Sequence, residues 1–307
     1  MALHITNGDA TVPELLATGL MDAVLPWRDA LHEGPVPDVG DEELRRVRGA
    51  FLAGEGAYEL AARDRLVEEQ REGEFVLWFE ADLYDQLQLV QILARLRSLG
   101  VEAEAITLVC IGEHPGFARF GGLGELNAGQ LARLPDAAGV TLTDAALAYA
   151  DRAWRALRAS DPTGLAEVVA SRSAELRFVA EAFDRLGREY PSTRDGLSLT
   201  ERRLLAAVAG GAETAGDAFV RGAARETRPF LGDTWAFDRL ARIAGGDAPL
   251  VAAEPLRITA TGGRVLAGDA DHVALNGIDR WIGGVHLHGR EVPWRFDEGH
   301  EAVCAVL

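Results

Sequence analysis

Residues 74–100, EFVLWFEADLYDQLQLVQILARLRSLG, constrain the fold more than any other stretch. Phe75 to Phe79 is an unbroken apolar run rich in aromatics, the pattern of a strand covered on both faces. Glu80 and Asp82 interrupt it. Asp82 has the character of a helix N-cap, and Asp85 three residues on gives an acidic variant of the capping box. From Leu83 to Leu96 apolar residues occupy two helical faces, which predicts a buried helix, and Gly100 suits the position just past its end. One strand end therefore carries Glu80, Asp82, Asp85 and Gln86 close together.

Around this unit the chain reads as alternating strands and helices. Leu3 to Thr6 is a first strand, Asn7-Gly8-Asp9 the turn after it, and Thr11 with Glu14 a capping box ahead of a short helix ended by Gly19. Ala23 to Trp27 is a second strand, so the opening is a βαβ unit with a right-handed crossover. Gly34, Pro35 and Pro37 make the next segment a loop. Asp41 to Gly54 and Tyr58 to Glu72 have helical spacing, and Ala105 to Ile111 is a fourth strand. Residues 1–140 are thus expected to form an α/β domain with a mostly parallel, doubly wound sheet. Residues 141–191 read as a helical connector, with helices over Asp144–Ala159, Pro162–Ser171 and Ala174–Tyr190, and Pro191 to Gly196 as a linker.

Residues 192–307 change style. Ser198 with Glu201 caps a helix to Ala209, and Thr214–Glu226 and Asp233–Ala244 give two more. Short β-like runs follow at Leu250–Ala252 and Leu256–Thr259, then a turn of helix over Gly262–Ala267. This order suggests an α+β, winged-helix-like module. The tail, GIDRWIGGVHLHGREVPWRF, reads as a β-hairpin.

Several segments in order carry a resemblance: LHITNGDAT, PWRDALHEGPVP, LWFEADLYDQLQLVQIL, RPFLGDTWAF and GRVLAGDADHVALNGIDRWIGGVHL. Together they resemble the bacterial family known as domain of unknown function 1835 with its usual C-terminal companion domain. The resemblance covers most of the chain and implies no activity and no catalytic residue.

Composition narrows the function classes. The 307 residues carry 48 acidic groups against 31 basic ones, a net charge of −17, and the basic residues are all Arg. A field of that sign repels nucleic-acid phosphates and anionic membrane surfaces. Asp233 to Arg239, in the would-be recognition helix, is not basic either, so nucleic acid is not an expected partner. Cys110 and Cys304 make neither a metal cluster nor a disulfide framework. The N-terminus lacks the basic-then-apolar pattern of a signal peptide, and no apolar run has the length of a membrane span. A cytoplasmic protein without a membrane partner is expected.

In an open α/β sheet, ligands sit at the carboxyl ends of the strands. Four polar sets converge there if the strands are parallel: Asn7 and Asp9; Arg28, Asp29, His32 and Glu33; Glu80, Asp82, Asp85 and Gln86; Glu113 and His114. Strand-to-helix loops are polar in any case, and Asp82 and Thr11 are expected chiefly as caps. Asp9, Arg28, His32, Glu80 and Asp85 are nonetheless expected to line one pocket, with Arg28 clamping an anion bidentately. The ligand class is an anionic small molecule or nucleotide; whether it is transformed, and with what cofactor, is left open. NGDAT has one glycine where a dinucleotide fingerprint needs three, and a Walker loop needs a Lys that the chain lacks. GxSxG and Cys-nucleophile motifs are missing. The carboxylates with His32 or His114 would also suit a divalent cation, but the HExxH spacing is lacking and no metal is assigned.

A second constellation is Asp279, Arg280, Trp281, His286 and His288. The two histidines are spaced to share one face of a strand. The favoured reading is a packed hairpin with Trp281 and Trp294 in the core and Asp279–Arg280 as local polar contacts. The competing functional class is a non-enzymatic regulatory protein, with the winged-helix-like module meeting a protein partner or a second copy of the chain.

Overall fold

The computed structural model describes residues 2–52, 56–253 and 255–306. A five-stranded sheet organises the N-terminal part: β1 (Leu3–Thr6), β2 (Val24–Pro26), β3 (Phe75–Glu80), β4 (Ile106–Ile111) and β5 (Gly139–Thr141). Its order is β2-β1-β3-β4-β5. The four strands expected from the sequence are all parallel, and only the edge strand β5 runs antiparallel. Because β1 pairs with β2 on one side and β3 on the other, the winding reverses between β1 and β3, which makes that gap the topological switch point.

Side-chain alternation explains why β3 reads as a continuous apolar run. Phe75, Leu77 and Phe79 face one layer of the core, whereas Val76 and Trp78 face the other. The first layer is built on α4 (Leu83–Ser98), whose apolar residues are nearly all buried. α4 packs against α7 (Asp144–Arg158) and α9 (Val179–Gly187), with α8 (Gly164–Ala170) bracing both. The other layer holds α1 (Val12–Ala17), α5 (Ala128–Leu131) and α6 (Leu134–Ala138). Asp82 caps α4 as expected, accepting from Asp85 N at 3.1 Å, and Gly100 takes a left-handed φ of 74° past its end. α2 (Asp41–Leu52) and α3 (Gly56–Glu69) cover the β2 side; the expected helix end at Gly54 lies outside the described residues.

The C-terminal part has α10 (Leu199–Ala209), α11 (Ala215–Ala223) and α12 (Asp233–Ala244), then a ribbon of β6 (Val251–Ala252) and β7 (Arg257–Ile258). α13 (Ala260–Ala267) and α14 (His272–Asn276) follow. Leu204, Leu205, Leu240, Leu250 and Val265 form its core. Two terminal hairpins, β8 (Ile278–Ile282) with β9 (Val285–Gly289) and β10 (Trp294–Asp297) with β11 (Ala302–Ala305), pack instead into the main core through Ile282, Leu287, Phe296 and Val303.

Three local expectations are corrected. Thr11 has helical backbone angles, so its side chain cannot turn back to cap, and Glu14 accepts from Ala128 N at 2.9 Å instead. Residues 191–196 are no loose linker: Ser192 and Asp195 are buried, and Thr193 N donates to Phe296 O because β10 returns to pair with this segment. In the β8–β9 hairpin Arg280, not Trp281, points inward, forming an ion pair with Glu189 at 2.5 Å. The strand alternation that puts Arg280 inside puts Asp279 and Trp281 outside.

Candidate functional site at the carboxyl rim of the sheet

The end of β3 and the start of α4 bring three carboxyl groups together beside the switch point. Glu80, Asp82 and Asp85 each present an oxygen within 4.8 Å of the others. Asp85 is fully buried and accepts from Asn7 Nδ2 at 2.7 Å and from Glu80 N at 2.6 Å. Leu123 N donates to Glu80 Oε1 at 2.7 Å. Gln86 Nε2 donates to Glu80 O at 2.5 Å, tying helix to strand end. Gly122 exists for this approach: its φ is 142°, and a Cβ there would meet Glu80 Oε2 at 2.2 Å.

Burial dominates the electrostatics. Desolvation, then the charge of Asp82, pushes Glu80 up to about 8. Desolvation raises Asp82 to about 6 against the backbone donors of its cap and the pull of Arg228. Asp85 is raised well above the usual carboxylate range by burial and by its two acidic neighbours. The cluster therefore retains a proton at neutral pH, because several like charges in one desolvated site cannot all ionise.

Across from the carboxyl groups stands the segment after α11. Arg228 donates from Nη1 to Gly112 O at 3.1 Å and from Nε to Glu181 Oε1 at 3.1 Å, with its guanidinium over the Phe178 ring. A space of about 20 Å³ separates Glu80 and Asp82 from Gly121, Gly122 and Arg228, enough for one water-sized group. It adjoins a cavity of about 290 Å³ that shares Asp82 and Arg228 and is walled by Arg185, Arg188 and Arg203 together with Glu181, Asp184 and Glu226. Arg203 lies in ion-pair contact with Glu226, yet its Nη1 has no aligned hydrogen bond. Arg185 is fixed by Glu189, Glu226 and the Thr200 hydroxyl.

Of the twelve rim residues selected from the sequence, nine fall into three groups, and Asp29 is buried in an ion pair with Arg48 at 2.7 Å. Asn7, Glu80, Asp82, Asp85 and Gln86 meet as one cluster. Asp9 and Arg28 form a separate, half-exposed pair, with Arg28 reaching Asp9 at 2.5 Å and Glu59 at 3.2 Å. Arg28 adopts φ 53°, a strained conformation for a residue with a Cβ, which turns the chain off the end of β2. Trp27 before it is pinned by Gln91 Oε1 at 2.6 Å and by the Arg63 guanidinium 3.7 Å above its ring. His32 and Glu33 are buried under α12. Glu113 is exposed, and His114 packs against Phe117 and Phe120.

Arg228, Arg203, Gly112 and Gly122 were missed by sequence reasoning. Arg228, Arg203 and Gly122 reach the rim through tertiary packing that their spacing does not mark, whereas Gly112 directly follows the end of β4 but carries no side chain to draw notice. Another cavity, about 300 Å³ between α2, α3, α4 and α7, lies apart from this cleft. Its arginines are engaged, Arg45 with Asp64 and Arg95 with Asp41 and Glu68. Comparison with protein-family models and with curated proteins gave no match.

Proposed function

We propose that the chain binds a small anionic molecule, phosphate- or carboxylate-bearing, in the cleft between the sheet rim and the segment after α11. Arg228 and Arg203 contact the anion, and the Glu80–Asp82–Asp85 cluster hydrogen-bonds the polar end of the ligand. The observation that carries this reading is the juxtaposition of a proton-retaining carboxyl cluster with a cavity of about 290 Å³, lined by four arginines among other residues, at the carboxyl end of β3. Because the cluster holds a proton near neutrality, it repels an anion less than its formal charge implies, and it can donate as well as accept. Arg28 is not the anchor in this reading, because it lies outside the cleft, in a separate group with Asp9 and Glu59. The same proposal keeps the chain in the family that its segments resemble, domain of unknown function 1835.

The test is a thermal-shift panel of inorganic phosphate, nucleoside monophosphates and dicarboxylates on wild type and Arg228→Gln. Stabilisation of wild type by one class, lost in the variant, supports the reading. A variant that responds as wild type does contradicts it.

A second reading takes residues 192–307 as a winged-helix-like, protein-binding module. The order of α10, α11 and α12 before the β6–β7 ribbon supports it, as do the exposed Val220 and Phe237. DNA is the less favoured partner: in α12, Trp235 stacks on Phe51 and Arg239 is buried against Glu33, so this helix is committed to the N-terminal part. No helix among the described residues is long and apolar enough to cross a membrane.

A further inference from the structure

The outer face of the β8–β9 hairpin carries a set of side chains that the rim site does not use. Asp279 lies directly opposite His288 across the ladder, and Trp281 opposite His286. All four side chains stand on the same face, because residues two apart on a strand share a face. His286 Nε2 is 2.7 Å from Asp279 Oδ1, and His288 Nδ1 is 3.7 Å from Asp279 Oδ2. The three residues each offer one donor atom within 4.8 Å of the others.

Two features hold this arrangement. The opposite face is anchored by buried Arg280, Ile282 and Leu287, with Arg280 paired to Glu189, so a register slip would expose an apolar face and break a buried ion pair. Trp281 stacks under the His286 ring at 4.5 Å with planes 2° apart, which fixes the imidazole plane. Arg242 donates to the Asp279 backbone O at 3.0 Å from the α12 side, while the two carboxylate oxygens of Asp279 face His286 and His288.

We propose that Asp279, His286 and His288 form a binding site for a divalent transition metal ion such as Zn²⁺, Ni²⁺ or Cu²⁺. Two imidazoles and one carboxylate are the donor set that such ions favour over Mg²⁺ or Ca²⁺, which prefer all-oxygen shells. Tetrahedral coordination at ordinary zinc–nitrogen lengths sets ligand atoms about 3.4 Å apart. With His286 held by Trp281, the adjustment falls to the more exposed Asp279 and His288 side chains, the ion replacing the Asp279–His286 hydrogen bond. Three protein ligands leave a fourth position open to water or to a donor from another molecule.

The experiment is a calorimetric titration of the untagged full-length chain with Ni²⁺ and Zn²⁺, repeated on H286A, H288A, D279N and D82N. Co²⁺ absorption serves as a geometry-sensitive second readout. All three hairpin residues are exposed, so the variants should keep the wild-type melting curve in chelator. The expected result is one ion per chain, bound more than about tenfold more weakly in H286A and in H288A, and unchanged in D82N. Wild-type affinity in H286A, H288A and D279N alike, or binding that is lost only in D82N, overturns the proposal. So does the absence of any binding heat or Co²⁺ spectrum in wild type.

Discussion

Both carboxylate oxygens of Glu33 accept from Arg239 Nη2 across 206 residues of sequence, and both side chains are buried. This pair locks α12 onto the loop after β2. Arg280 stands 3.7 Å from the same carboxylate and pairs with Glu189, so three elements share one buried network. Buried pairs of this kind add little over an apolar replacement, but losing one partner strands the other charge.

Removing one member should therefore be costly. Arg239→Met is expected to destabilise by about 3–5 kcal/mol, and the double variant with Glu33→Leu should recover part of that loss. Denaturant unfolding of the single and double variants checks this. Equal and additive losses would show that the two side chains act independently.

Histidine 32 supplies a pH dependence. Its ring is enclosed by Tyr84, Phe230 and Trp235, neither nitrogen has a hydrogen-bond partner among the described residues, and burial pulls it down to about 4. Glu33 and Glu189 oppose that shift, while Arg239 and Arg48 add to it. The unfolded chain takes up the proton first, so stability falls as the pH drops from about 6.5 towards 4. The slope is about 1.4 kcal/mol per pH unit at most. His32→Leu should flatten the acid limb of the stability curve in urea unfolding at stepped pH; an unaltered limb would mean that other groups set it.

Glu80 acts with the opposite sign. Its folded value of about 8 lies above the ordinary carboxylate value, so its contribution is fully present below pH 4.5 and is lost as pH rises through 8. Glu80→Gln keeps the acceptor for Leu123 N and removes the titration. The variant should gain on wild type by up to ~1.4 kcal/mol per pH unit between those values. Parallel stability curves for the two proteins would place Glu80 in a solvated setting instead.

Gly122→Ala tests the same contact sterically. With φ at 142° and Glu80 Oε2 in the path of a Cβ, the substitution should cost on the order of 1–3 kcal/mol. It should also change the pH profile in the direction of Glu80→Gln. A variant with wild-type stability and pH profile would show that the loop shifts freely.

How much of this was legible beforehand follows from where the information sits. The parallel strands, the Asp82 cap and the Ser198–Glu201 box are local patterns, and they stand where the residues indicate. The cluster of Asn7, Glu80, Asp82, Asp85 and Gln86 follows from strand direction alone. Arg28 illustrates the limit: its position at a strand end was readable, but its capture by Asp9 and Glu59 depends on how α3 packs. Arg228 and Arg203 were out of reach because their partners Gly112 and Glu226 are set by docking of separate elements. Arg280 faced inward because the hairpin register gave Trp281 the open face.

The direct test of the rim account is to locate an anion. Crystals soaked in tungstate or selenate should show an anomalous peak in the cleft, within hydrogen-bond reach of Arg228 and Arg203 and beside the Glu80–Asp82 end. A peak at Arg28 or in the cavity between α2 and α7, with the cleft empty, would contradict the assignment of the rim as the binding site.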